Sequence, residues 1–306
     1  MKLTHKAPSV TQRVIVYGPP KCGKTQLVST LSAVFDLLWF DLENGYATLL
    51  KLPTAYQERI ELISIPDSRT FPIAVETMLK VIVGLPVDIC EAHGKVSCQL
   101  CKKDSAPMVR VELNKLSPNT IVVVDSLTQF SNSCIANITK NQPDDYKMEF
   151  SDWGNLKTLV EKFLSQVQAA KYNIVCISHE EEVELEDGRK KIVPVCGSSK
   201  SSRNTAKYFD HVVYCEVKNR KHIASSATTF SNNILAGSRT DVRLEDSPEL
   251  TLLSIFKAIE VSTAPNDSQV TDSGAHSVVN AVNLSNGEKA VSALQLLKLK
   301  QVSGVK

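Results

Sequence analysis

Residues 18–25 read GPPKCGKT, with Gly18, Gly23, Lys24 and Thr25 in the fixed places of G-x-x-x-x-G-K-T. That spacing suits phosphate. Glycines let backbone N–H groups turn toward anionic oxygens with no Cβ in the way. Lys24 brings charge to the β and γ phosphates, and the Thr25 hydroxyl can ligate Mg²⁺. A helix starting there adds its positive end. The stretch Gly18, Pro19, Pro20, Lys21, Cys22, Gly23, Lys24, Thr25 and Gln26 is therefore the expected nucleotide cradle, with ATP and Mg²⁺ as its ligands.

Such a cradle needs an acid at the end of a neighbouring buried strand to order the magnesium shell. Asp125, closing NTIVVVD (119–125), is the candidate. Hydrolysis also needs a base or polariser for water. Asp41 and Glu43 stand at the end of LLWFDLEN (37–44), and strand alternation predicts both on one face. Glu43 lies nearer the C-terminal edge, where ligands bind in open α/β sheets. His179 follows NIVCIS (173–178), where it could sense the γ-phosphate or serve as a structural histidine.

A second cluster is CEAHGKVSCQLC (90–101), in which Cys90, His93, Cys98 and Cys101 are spaced C-x₂-H-x₄-C-x₂-C. Three thiolates and an imidazole suit tetrahedral Zn²⁺, and four protein ligands leave no open position. The expected role is structural: metal folds a loop too short for a core. Gly94 eases the bend between the pairs.

The elements that must position these groups follow from periodicity. Strands are expected at 13–17, 37–44, 58–65, 119–125, 173–178 and 211–217, with more near 222–236. Helices are expected at 24–34, 71–85 and 153–170, and a hairpin at 182–195 turning at Asp187-Gly188. The alternation predicts an α/β core, a mostly parallel sheet with helices on both faces. The expected domains are a core over 1–260, with a zinc-binding insert at 86–107, and a polar, disordered tail over 261–306. Within the tail, AVSALQLLKLK could form a short helix that docks on a partner.

Composition sets broad bounds. The 306 residues are 42% apolar with a net charge of +2, which neither demands nor excludes a nucleic-acid partner. No apolar run approaches a membrane span, and the N-terminus lacks the apolar stretch of a secretory signal. The eight cysteines lie in the cluster or in apolar runs, which fits a cytoplasmic chain with free thiols.

Taken together, the chain resembles the RecA-like P-loop ATPase core over about residues 13–240. WFDLEN resembles the segment carrying the catalytic glutamate, here Glu43. IVVVDSLTQF resembles the metal-binding strand, with Asp125. NIVCISHE resembles the strand ending in a nucleotide-sensing residue, here His179 where glutamine is usual. SSRNTAKYFDHVVY resembles the segment after the second DNA-binding loop. Among subfamilies the chain is most similar to phage-encoded RecA-like annealing or nucleotide-binding proteins. The resemblance implies a DNA-stimulated ATPase acting on single-stranded DNA in recombination, in the cytoplasm of the host cell. It also implies a homo-oligomer and loops near 131–152 and 180–204 against the DNA. The second loop and its flank supply Arg189, Lys190, Lys191, Lys200, Arg203 and Lys207; in the first, Tyr146, Phe150 and Trp153 are the nearby rings. A basic finger from a neighbouring subunit would be Arg239, with Arg220 and Lys221 competing, and the tail could meet a single-strand-binding protein. The chain departs from the family in its short lead before the first strand, in His179, in the acidic start of the second loop, and in the cysteine insert. A nucleotide-gated binding module and a helicase-type motor are the alternatives.

Overall fold

The computed structural model describes residues 11–227, 233–239, 243–244 and 250–256. The tail over 261–306 and its expected helix lie outside the described residues.

Within β1 (Arg13–Gly18), Val14 and Val16 face one side and Ile15 and Tyr17 the other, and all four are buried. The same double burial recurs in β2 (Asp36–Asp41), β6 (Thr120–Asp125) and β7 (Asn173–Glu184). A strand apolar on both faces must be covered on both, which is the parallel α/β solution. Between β2 and β6 the chain forms α2 (Thr54–Gln57), β3 (Ile60–Ser64), α3 (Ile73–Val81), β4 (Val87–Cys90), α4 (Gln99–Lys103) and β5 (Met108–Val111). After β6 come α5 (Leu127–Thr139) and α6 (Phe150–Ala169); after β7 come β8 (Lys190–Pro194), α7 (Ser199–Thr205), β9 (His211–Lys218), β10 (Lys221–Ser225) and β11 (Gly237–Ser238). One face carries α1 (Lys24–Ser29), whose Leu27 and Val28 pack with Trp39, Val123 and Val175. The other carries α3, α5 and α6, with Met78, Phe130 and Phe163 against Phe40, Val124 and Cys176.

Among the described residues the main sheet runs β10-β9-β1-β7-β6-β2-β3, with β11 on β9 and β8 on β7. Every pairing from β9 to β3 along that path is parallel, while β8, β10 and β11 are antiparallel. The expected α/β core, a mostly parallel sheet with helices on both faces, is the architecture found. β4 and β5 form a separate antiparallel pair in which Val87 meets Val111, so the insert closes at 111 rather than 107. All eight cysteines are unbridged and buried.

Four expectations need correction. The second strand ends at Asp41, because Asn44 adopts a positive φ of 56° and the chain turns. Asp41 and Glu43 therefore do not share a strand face. β7 does not stop at Ser178 but runs on to Glu184, since its extension pairs with β8. Most of 131–152 is helix: α5 reaches Thr139, and α6 starts at Phe150 because Glu149 and Asp152 form a reciprocal capping box. The expected loop near 180–204 ends largely as helix: GSSKSSRN (197–204) is mostly α7, capped by the Ser198 hydroxyl accepting from Ser201 N–H.

Candidate functional site

β1 delivers the chain to the C-terminal edge of the sheet, where residues 19–23 curl before α1 begins at Lys24. Gly23 caps that helix with φ of 93°, and a Cβ there would stand 2.9 Å from the His222 ring. Lys24 is 7% exposed, and its ammonium donates to the Gly18 and Pro19 carbonyls at 3.0 and 2.8 Å. A buried ammonium held by neutral carbonyls and the Cys22 sulfur, with no carboxylate among the described residues bonded to it, sits in a place suited to an anion. Lys21, Gly23, Lys24, Thr25 and Gln26 line a cleft of about 500 Å³ together with Glu43, Asp125, Ser126, His179 and His222.

Two neighbouring parallel strands bring the acids to this edge. Asp41 and Asp125 are register partners at the ends of β2 and β6. Asp41 accepts from the N–H groups of Glu43, Gly45 and Tyr46 at 3.0–3.2 Å, so it builds the turn that presents Glu43. Asp125 is 4% exposed and 3.2 Å from the Thr25 hydroxyl. Burial first, then the Glu43 and Asp41 charges, push its carboxyl up to about 7. A buried carboxylate crowded by two others and facing a hydroxyl is a set of hard oxygen donors, which fits Mg²⁺.

Glu43 has different neighbours. The Ser126 hydroxyl donates to its carboxylate, and His179 Nε2 lies 3.6 Å away. His179, Ser126 and Lys24 hold the carboxyl below its usual range against the opposing effect of burial. His179 is fixed from behind: its N–H donates to the Thr128 hydroxyl at 2.9 Å, and it pairs in register with Gly18. The first turn of α5 thus braces Glu43 through Ser126 and His179 through Thr128. Sequence reading overlooked Ser126, Thr128 and His222, because hydroxyls at a helix start and a histidine in a short strand carry no periodic signal.

The chain from residue 11 to 240 matches the family described as AAA domain, which spans most of its length. The chain belongs to that family. Solved structures to which the chain is similar include an ATPase from the type III secretion system of pathogenic bacteria. It shares 12% identity over 66% of this chain and 51% of its own, with a TM-score of 0.39. This chain therefore spans about half the length of that ATPase. A KaiC-like protein from the archaeon Pyrococcus horikoshii OT3 shares 9% identity over 70% of this chain and 76% of its own, with a TM-score of 0.36. Among curated proteins none matches. This AAA-domain chain carries its P-loop, Asp125 and Glu43 at one edge of the sheet.

The remaining expected residues lie elsewhere. Arg239 donates to Asp210 at 3.0 Å, and Asp210 also holds Arg13 at the start of β1. That is the opposite edge of the sheet, so Arg239 does not reach the cleft of its own chain. Arg220 and Lys221 are at the β9–β10 turn, on the P-loop side. Of the expected DNA contacts, Arg189 pairs with Asp187, Lys190 pairs with Glu182, and Arg203 donates to the Glu184 carbonyl. Lys191 and Lys200 have no ion pair among the described residues, and Lys207 sits over the Tyr208 ring. The six basic side chains of 180–207 are matched there by six acidic ones. In the first expected loop Phe150 is 95% exposed and Trp153 44%. No helix among the described residues is long and apolar enough to cross a membrane.

The ligand atoms of Cys90, His93, Cys98 and Cys101 lie within 4.8 Å of one another. His93 Nδ1 is 3.2, 3.7 and 3.8 Å from the sulfurs of Cys101, Cys98 and Cys90. Tetrahedral Zn²⁺ with sulfur at about 2.3 Å requires ligand separations of about 3.8 Å, so the four residues fit. The Cys101 N–H, directed at Cys98, leads the effects that hold that thiol down to about 7. Gly94, at φ of 60°, presses on the end of β3: a Cβ there would meet the Ser64 carbonyl at 2.6 Å. Thr77 of α3 donates to the Gly94 carbonyl at 2.9 Å, fastening the insert to the core.

Proposed function

We propose that the protein binds ATP with Mg²⁺ and hydrolyses it, and that it does so as a homo-oligomer acting on single-stranded DNA, in annealing or strand exchange of the phage type. Placement of Glu43 at the same edge as Lys24, Thr25 and Asp125 is the observation that supports hydrolysis over simple binding. Bound Mg²⁺ would supply charge neutralisation on the phosphates, held by Thr25 and Asp125. Lys24 is the ammonium available to the β and γ phosphates once it leaves the Gly18 and Pro19 carbonyls. Glu43, ionised at neutral pH, accepts the proton of the attacking water and orients it. His179, 3.6 Å from that carboxylate, would report phosphate loss to the β7–β8 hairpin that begins beside it.

Because Arg189 and Lys190 are paired with acids, the DNA contacts are assigned to Lys191, Lys200, Arg203 and Lys207 together with the exposed Phe150 and Trp153 rings. Arg239, tied to Asp210, would act as a finger only on a neighbouring subunit. Zinc is proposed to fold the 86–111 insert, the tail to meet a single-strand-binding protein, and the cytoplasm is the proposed location. The test is ATP turnover with and without single-stranded DNA. DNA-stimulated turnover that collapses in Glu43→Gln supports the reading. Turnover indifferent to both DNA and Glu43→Gln favours a nucleotide-gated binding module instead.

A further inference from the structure

His222 stands apart from the residues that the phosphate motif accounts for. It lies on β10, which is two strands from β1 in the sheet. Glu43 follows β2, which is three strands from β1 in the opposite direction. Both nevertheless line the one cleft. Thr25, Asp125, Glu43 and His179 gather on the β6–β2 side and mark the end where phosphate would be cleaved. His222 marks the other end.

Its ring is held in place. The Cys22 carbonyl accepts from Nδ1 at 2.8 Å, so Nδ1 carries the hydrogen. The neutral ring then presents Nε2 as an acceptor, and no described residue bonds it. The ring is exposed, and it rests against Gly23 so closely that a Cβ there would stand 2.9 Å from Nδ1. The β9–β10 turn that carries it is tight: Asn219 and Arg220 take positive φ of 52° and 63°, and Lys218 pairs with Lys221. Two-residue turns of this kind leave little play in the hairpin. The result is a flat, pre-oriented ring with one free acceptor at the non-hydrolytic end of a phosphate site. Base faces stack on such rings, and ribose hydroxyls donate to such acceptors.

We infer that His222 is the nucleoside-binding residue of this cleft, contacting the base or ribose while the loop of residues 18–25 holds the phosphates. This rests on the nucleotide reading above and adds a separate specificity element to it. Binding by wild-type, His222→Ala and Lys24→Ala proteins would be measured calorimetrically with Mg-ADP and with magnesium tripolyphosphate, which has no nucleoside. The expected result is about tenfold weaker ADP binding in His222→Ala, the size of one stacking contact, with tripolyphosphate affinity within about twofold of wild type. Lys24→Ala should lose both ligands. His222→Phe, which keeps a flat ring, should recover part of the ADP affinity if stacking carries the contact. Unchanged ADP binding in His222→Ala overturns the inference. So does an equal loss of ADP and tripolyphosphate, which would mean that the ring only shapes the loop through Cys22. A wild-type protein that binds neither ligand overturns the nucleotide reading itself.

Discussion

The nucleotide cleft and the cysteine–histidine insert are built in opposite ways. The cleft draws Lys24, Glu43, Asp125, His179 and His222 from across most of the chain, and only the order of the strands brings them together. The insert draws four ligands from twelve consecutive residues and a two-strand pair. Its buried apolar cluster consists of the three cysteines, with Ala106 and Met108 packed on it. The first site is a product of the sheet and fails when the sheet fails. The second is a local structure whose cohesion is assigned to metal, and it joins the core through Ile89, Val96 and Val111 and through Gly94, whose carbonyl accepts from Thr77 of α3.

This contrast can be broken or sharpened by experiment. The largest effect is expected at the cleft. Glu43→Gln should lower ATP turnover by about 10²–10⁴-fold while changing nucleotide affinity by no more than about threefold, measured by phosphate release and calorimetry. A matching loss of affinity would mean that Glu43 holds the site together and does no chemistry.

Next comes the insert. Chelation of zinc, or Cys101→Ser, should expose 86–111 to proteolysis and to amide exchange, yet leave the melting of the core within about 5 °C. Loss of the cooperative melt would show that the two regions are one folding unit.

The sheet itself has a pH signature. His211 is fully buried between the Gln12 carboxamide oxygen and the Ser238 hydroxyl, at 2.7 and 2.8 Å. Burial, ahead of the opposing Asp210 charge, lowers its pKa to about 4. Protonation therefore favours the unfolded chain. This contribution is complete above the unfolded value of about 6.5 and is lost as pH falls toward 4, at a cost of at most about 3 kcal/mol. Urea midpoints should fall over that window, and a His211→Gln variant should show a shallower fall. An identical slope in the variant would remove His211 from the account.

The smallest effects concern DNA. Lys200→Ala and Arg203→Ala should each weaken single-strand binding by about two- to fivefold, more at low salt. Arg189→Ala should do less, because Asp187 already neutralises it. Equal losses at all three would mean that the Arg189–Asp187 pair opens on binding.

How legible these features were in the sequence follows the same division. That residues 18–25 and Asp125 meet at one sheet edge, and that Cys90, His93, Cys98 and Cys101 cluster, could be read because short-range spacing encodes both groupings, and β-branched runs marked the strands that carry them. Glu43 was found, but its supposed shared face with Asp41 was wrong, because the turn at Asn44 interrupts the alternation. The loops at 131–152 and 180–204 were misread because polar composition hid a capped helix start at Phe150 and a seven-residue α7. Arg239 could not be placed, since only the β11–β9 pairing puts it at the far edge. Ser126, Thr128 and His222 act through tertiary contacts that no local pattern announces.

The central claim is that a nucleotide's phosphates are gripped between Lys24 and the Asp125 strand end. Calorimetric titration of the full chain with Mg-ATP tests it most directly. The account predicts saturable one-site binding in wild type and at least about a hundredfold loss in Lys24→Ala. Absence of binding in wild type, or equal affinity in the two proteins, would contradict it.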